Sequence, residues 1–218
     1  MQKKQSTKSG AKRIARIALF TALTAACAQI SIPLPGGVPI TLQTLAVMLA
    51  AAILRWDGVF VLAAYLFLGL VGVPVFSNFG STANLFSPTG GFLVGFLPMA
   101  AVIAAISKFS DLHAAEKEQP LAGEETEADE KREKERKSRE QLRIFIVTCI
   151  ASFIGTVVCY AFGTAWFIGL NAFRGTEKTV AYALSACVVP FIVPDLLKIA
   201  LASYLTSVVC TRWKNLLK

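Results

Sequence analysis

Three stretches of this chain, 17–54, 58–107 and 144–173, contain no Asp, Glu, Lys or Arg. A helix crosses the hydrocarbon core of a bilayer with about 20 apolar residues, and each stretch exceeds that length. In lipid every backbone N–H and C=O must find its partner inside the protein, so such stretches fold as helices rather than as loops or open strands. Composition agrees: 55% of the 218 residues are hydrophobic and only 17% are charged, which is more apolar than a soluble domain. The chain reads as an all-α, polytopic membrane protein. That excludes a disordered chain, a small disulfide scaffold and, despite a net charge of +8, a nucleic-acid-binding domain. The five cysteines (Cys27, Cys149, Cys159, Cys187, Cys210) lie in apolar segments without a C-x-x-C pair, and are expected to be small packed hydrophobes.

Turn-forming residues divide the stretches into a bundle of six transmembrane helices at 14–32, 40–54, 59–73, 89–107, 144–170 and 181–210. Pro33, Pro35, Gly36 and Gly37 end the first, and Pro39 is expected to open the second within its first turn. The turn Arg55-Trp56-Asp57-Gly58 leads into the third, which Pro74 is expected to end, and Pro88 introduces the fourth. The second and third are short for a crossing, so neighbouring helices or loops should partly cover them. Between spans, 19 Lys and Arg fall on the side of the N-terminus and two, Arg174 and Lys178, on the other. The positive-inside bias therefore predicts both termini in the cytoplasm, with attraction to anionic membrane lipid as a secondary effect. Leu23-Thr24-Ala25-Ala26-Cys27 faintly resembles a lipoprotein cleavage box, but five spans follow it and the first helix is expected to stay.

Three regions result: 1–107 with spans one to four, a linker at 108–143, and 144–218 with the last two spans. Of the 36 linker residues 20 are charged, so the linker must lie in water. Glu and Lys or Arg at i,i+4 spacing in 130–143 favour a helical extension of the fifth span, whereas 120–129 has the composition of a flexible segment. His113, the single histidine, falls in this linker, which argues against a catalytic or metal role.

Absent motifs narrow the chemistry further. There is no G-x-x-x-x-G-K-[ST] phosphate loop and no H-E-x-x-H, so neither ATP hydrolysis nor zinc proteolysis has its residues here. No base stands near Ser77, Ser87 or Ser152 in sequence. No catalytic and no metal-ligating residues are assigned, and an integral-membrane enzyme is disfavoured. The informative residues are Asp195 and Lys198, the charges deep inside a span. Each costs about 2.5–3.5 kcal/mol near the bilayer centre if uncompensated. At i,i+3 they share a helix face, and either lock helices together or meet a polar ligand. Pro190 and Pro194 remove backbone donors beside them. Thr41, Gln43 and Thr44 open the second span, Asn78 and Asn84 lie in the third loop, and Tyr160 and Trp166 lie on the fifth span, where an aromatic stripe serves either packing or ligand contact. The start Thr89-Gly90-Gly91 either offers helix N-terminal amides to a carboxylate or is simply a turn. Together these residues suggest a polar pocket for a small, partly apolar ligand.

Four segments in order then resemble one family: Ile32-Pro33-Leu34-Pro35-Gly36-Gly37-Val38-Pro39-Ile40-Thr41-Leu42-Gln43-Thr44-Leu45, Leu70-Val71-Gly72-Val73-Pro74-Val75-Phe76, Ser87-Pro88-Thr89-Gly90-Gly91-Phe92, and Val193-Pro194-Asp195-Leu196-Leu197-Lys198. They resemble BioY, the biotin-specific S component of energy-coupling factor (ECF) transporters. Ser87 and Val193 stand where the family commonly has Gly, and the fourth loop is longer than expected. The resemblance implies a multi-pass protein of a prokaryotic cell membrane that captures biotin with high affinity. It implies partners too: one transmembrane coupling protein and two ATP-binding subunits, with ATP bound only there and no cofactor on this chain. Asp195, Lys198, Asn84, Asn78, Gln43, Thr89, Gly90, Gly91 and Tyr160 are then the expected substrate-binding residues. Ala18, Ala22 and Ala26 form a small-residue stripe suited either to partner docking or to ordinary helix packing. The same architecture serving thiamin or riboflavin is the alternative.

Overall fold

The computed structural model describes residues 2–34, 37–115, 127–176 and 178–216, with side chains placed for 10–34, 37–111, 134–176 and 178–212. Parts of the linker expectation, 116–126, and Pro35 and Gly36 of the first loop lie outside the described residues, as does the His113 side chain. Helix α1 spans Gln2–Gln29 and starts well before the apolar run, although Ser6, Thr7, Ser9 and Gly10 interrupt the better helix formers Lys and Gln of its lead-in. The chain then makes a small antiparallel hairpin, β1 (Ser31–Ile32) and β2 (Ile40–Thr41), with Ser31 opposite Thr41. Pro39 therefore belongs to the hairpin and does not open a helix. Helix α2 begins after it, at Gln43–Leu54.

A single left-handed residue, Arg55 (φ 58°), joins α2 to α3 (Trp56–Leu70). So sharp a joint brings Gly58 against the backbone of Ala50 and Ala51. Helix α3 ends at Leu70, earlier than expected. Its stop is Gly72, whose positive φ of 95° is a conformation glycine adopts freely, rather than Pro74. A 3-10 turn (Ser77–Phe79) and a short α4 (Thr82–Leu85) lead into α5 (Gly90–Ala115). Helix α6, Glu127–Phe173, is continuous over 47 residues, so the charged stretch does extend the fifth span. The last span, expected as one helix over 181–210, is two: α7 (Val180–Cys187) and α8 (Val189–Leu216), broken at Val188 (φ −124°, ψ −56°). Pro190 explains the break. Its ring and missing N–H cannot follow the turn that ends at Cys187, but are tolerated in the first turn of a new helix.

Among the described residues three helical segments are long and apolar enough to cross a membrane: Gly90–Asp111, Lys134–Phe173 and Val189–Arg212. Helices α2 and α3 are shorter, and α2 is the centre of the bundle. It packs against α1, α3, α5 and α8, and Ala46, Val47, Met48, Ala50, Ala51 and Ala52 are all fully buried. A helix so enclosed needs no lipid-matching length, as expected from its sequence. The long antiparallel seam of α5 on α6 is set by small residues: Gly91 meets Trp166, Gly95 meets Cys159 and Phe162, and Gly155 meets Ile103 and Met99.

Helix α8 is inverted relative to a helix of a soluble protein. Val193 and Leu197 are 67% and 69% exposed, while Asp195 and Lys198 are 3% and 6% exposed. Charges inside and leucines outside is the arrangement that lipid selects. On α1, by contrast, Thr21, Thr24 and Ala28 face the bundle, and Ala18, Ala22 and Ala26 are exposed.

Candidate ligand-binding site

Because Asp195 lies one turn before Lys198 on α8, the two side chains meet directly, Nζ to Oδ1 at 2.7 Å. Two other helices add donors to the same carboxylate. The Tyr160 hydroxyl of α6 donates to Oδ2 at 2.7 Å, and Thr44 Oγ1 of α2 to Oδ1 at 3.4 Å. A buried carboxylate with a cation and two hydroxyls on it is compensated where a lone one would not be. The lysine ammonium has three donors and gives one to Asp195, which leaves capacity toward the space beside it.

That space is a cavity of about 50 Å³. Its walls outside the polar cluster are apolar: Phe92, Phe96 and Met99 of α5, Phe191 of α8, and Val38 and Pro39 of the hairpin. Phe92 and Phe191 stack across it, centroids 6.5 Å apart and rings inclined 22°. The site thus has one polar end with donors and an acceptor, and aromatic walls to hold a flat or ring-shaped body. Cys159 and Thr156 complete the α6 face. The Thr156 hydroxyl bonds back to the Ser152 carbonyl at 2.8 Å, a local satisfaction common for helical threonines.

Of the residues expected from sequence, the structure brings together Asp195, Lys198 and Tyr160. The others sit elsewhere in the described structure. Gln43 is next to Thr44 but points the other way, donating to the Tyr65 hydroxyl at 2.9 Å, as consecutive residues on a helix must diverge. Asn78 accepts from Ser31 Oγ at 2.9 Å. Asn84 offers its backbone carbonyl to the hydroxyls of Ser87 (2.7 Å) and Thr89 (3.2 Å). Gly90 and Gly91 are buried under Trp166, and the Gly90 N–H is bonded to Ser87 O at 3.0 Å. Trp166 Nε1 donates to that same carbonyl at 3.0 Å. In this structure the glycines serve close packing of α5 on α6. Thr41 and Thr44, named from the sequence among the polar groups of a pocket, both line the cavity, whereas sequence reasoning missed Phe92 and Phe191 as wall residues.

With this geometry in hand, comparison with known proteins is specific. The BioY family model matches residues 1–215. A probable biotin transporter BioY of Pyrococcus horikoshii is 34% identical over 194 residues, which are 88% of this chain and 92% of that protein. The biotin transporter BioY of Thermotoga maritima is 43% identical over 99 residues, 44% of this chain and 58% of that protein. Among solved structures, the S-component for biotin from an ECF-type ABC transporter aligns with a TM-score of 0.67 at 21% identity, covering 95% of this chain and 93% of that one. At that identity the structural likeness speaks for the fold.

Proposed function

Because the chain belongs to the BioY family, we propose that it is the biotin-capturing S component of an ECF transporter, a binding and delivery subunit and not an enzyme. The observation that carries this reading is the buried Tyr160–Asp195–Lys198 cluster at the end of an aromatic-walled cavity. Biotin has matching halves: a ureido ring with two N–H donors and one carbonyl acceptor, and an apolar bicyclic body. Charge decides which end enters first. Asp195 and Lys198 already neutralise each other, so a neutral ureido group adds no net charge to the buried site, whereas the valerate carboxylate would place a second anion beside Asp195. The ureido N–H groups go to Asp195, its carbonyl to Lys198 or Tyr160, and the carboxylate toward the cavity mouth. The hairpin at Val38 and Pro39 and the Phe92–Phe191 pair border the cavity, and their separation would admit the ligand.

In this reading six crossings, with α7 and α8 together forming the last, place both termini in the cytoplasm of a prokaryotic cell. The end of α1, the hairpin and the loop of Asn78, Asn84 and Thr89 then face outward and cover the ligand, with Gly90 and Gly91 at the loop's entry into α5. Gln43 supports α2 from behind the site. The exposed Ala18, Ala22 and Ala26 permit close approach by the transmembrane coupling protein. Two ATP-binding subunits complete the transporter, and the linker 108–143 is a solvated cytoplasmic connection.

Tyr160→Phe removes one donor from Asp195 without changing packing, and is expected to raise the Kd for biotin about tenfold, the worth of one hydrogen bond to a charged group. Isothermal titration of the purified variant measures it. The function itself is tested in proteoliposomes that combine this chain with coupling and ATP-binding subunits. Labelled biotin should accumulate only with ATP and all partners present. Accumulation of thiamin or riboflavin instead would move the chain to another vitamin.

A further inference from the structure

The last residue of α1 is bonded to a loop far along the chain. The Gln29 Nε2 donates to the carbonyls of Phe76 at 3.0 Å and Val75 at 3.4 Å, and its Oε1 accepts from the Phe79 N–H at 2.9 Å. Two residues on, Ser31 Oγ donates to Asn78 Oδ1 at 2.9 Å. Loop 75–80 thus hangs from the end of α1 by both ends of one amide and by a hydroxyl.

What is held there is strained. Asn78 and Phe79 are consecutive left-handed residues, with φ of 57° and 54°. Asn tolerates that region, but for a bulky aromatic it is a steric outlier. Phe79 is also 73% exposed, so burial of its ring does not offset the strain. Such a backbone persists only where surrounding bonds over-determine it. The start of the loop is fixed from the opposite side: Phe76 is fully buried edge-on to Tyr65, centroids 5.2 Å apart, and the Tyr65 hydroxyl donates to Val75 O at 2.9 Å. Beyond Gly80 the chain passes through α4 and the hydroxyls of Ser87 and Thr89 straight into α5, where Phe92 lines the cavity.

We infer that Gln29 is a positioning residue that latches loop 75–80 in its strained form, and so ties the end of α1 to the segment that becomes the cavity wall. Its ligand consequence rests on the biotin reading above, whereas the latch is a property of the ligand-free chain. With the latch intact the segment above the site is held in one form. Without it, Phe79 relaxes to a negative φ, the loop shifts, and a bound ligand escapes faster although its entry is not slowed.

The experiment uses the full chain in detergent. Hydrogen–deuterium exchange without ligand should show amides 76–80 exchanging at least about tenfold faster in Gln29→Leu than in the wild type. Stopped-flow measurement should show biotin dissociating about tenfold faster, with the association rate within about twofold. Adding Phe79→Gly to Gln29→Leu should return both readouts toward wild type, because glycine takes a positive φ without strain. A Gln29 that merely stabilised α1 would show no such rescue. If Gln29→Leu does not fold, Ser31→Ala with and without Phe79→Gly makes the same comparison. Unchanged exchange, faster exchange with unchanged dissociation, or absence of rescue would each overturn the inference. If the wild type binds no biotin, the exchange and rescue results still decide the latch, and only its ligand consequence falls with the biotin reading.

Discussion

Asp195→Asn is expected to weaken biotin binding by at least about 100-fold. Removing one partner of a buried pair leaves the other charge uncompensated, which costs about 3–5 kcal/mol of stability; binding falls because the two ureido N–H groups lose their charged acceptor, about 1.5–3 kcal/mol for each hydrogen bond, and each 1.4 kcal/mol is about tenfold in Kd. Here the stranded group is Lys198, 6% exposed and 2.7 Å from the carboxylate it loses. The variant also loses the acceptor for Tyr160 and Thr44. Lys198→Met should fail by the converse route, with the Asp195 charge unpaired. Combining Asp195→Asn with Lys198→Met removes both charges, and two outcomes then separate the roles of the pair. A ligand-contacting pair predicts recovered thermal stability in the double variant with binding still lost. A pair that only locks helices together predicts that stability and binding return together.

The second large effect concerns the architecture that brings Thr44 to Asp195. Gly58→Ala should lower the unfolding temperature by about 2–12 °C, from an overpacking cost of about 1–3 kcal/mol. A Cβ at Gly58 would stand 2.6 Å from Ala50 O and from Ala51 Cα, and those are backbone atoms that no rotamer change can move aside. The one-residue joint at Arg55 leaves α2 and α3 little freedom to spread. The matched control is Gly169→Ala on α6, where an added Cβ meets nothing within 4 Å. There the better helix propensity of alanine should leave stability unchanged or slightly raised. Differential scanning fluorimetry of the two variants in one detergent makes the comparison.

How far the sequence foretells this molecule depends on which force sets each feature. The long helices were legible because charge exclusion from lipid acts on every residue of a run: the charge-free stretches reappear in α1 to α3, α5 and α6. Asp195 and Lys198 were legible for the same reason, as costly exceptions. The phase of α2 was not. This helix is apolar and enclosed, so no amphipathic stripe indicates which of Gln43 and Thr44 faces α8. The hairpin of Ser31–Ile32 with Ile40–Thr41 is too short to carry a period, and its register comes from tertiary packing. Gly90 and Gly91 illustrate a different ambiguity. A glycine pair at a helix start suits an exposed amide nest and a close helix contact equally well, and only Trp166, far away in sequence, distinguishes them. Pro190 announced an irregularity in the last span, but whether a proline kinks a helix or restarts it depends on the packing around it, here that of Cys187 and Phe191 with Val38 and Phe167.

Whether the cavity beside Asp195 is a biotin site is decided by equilibrium binding of labelled biotin to the purified chain, with desthiobiotin and thiamin as competitors. Desthiobiotin keeps the ureido ring and lacks the sulfur, so biotin should bind tightly and saturably, displaced by desthiobiotin and not by thiamin. Absence of saturable binding, or displacement by thiamin as readily as by desthiobiotin, would contradict the biotin assignment.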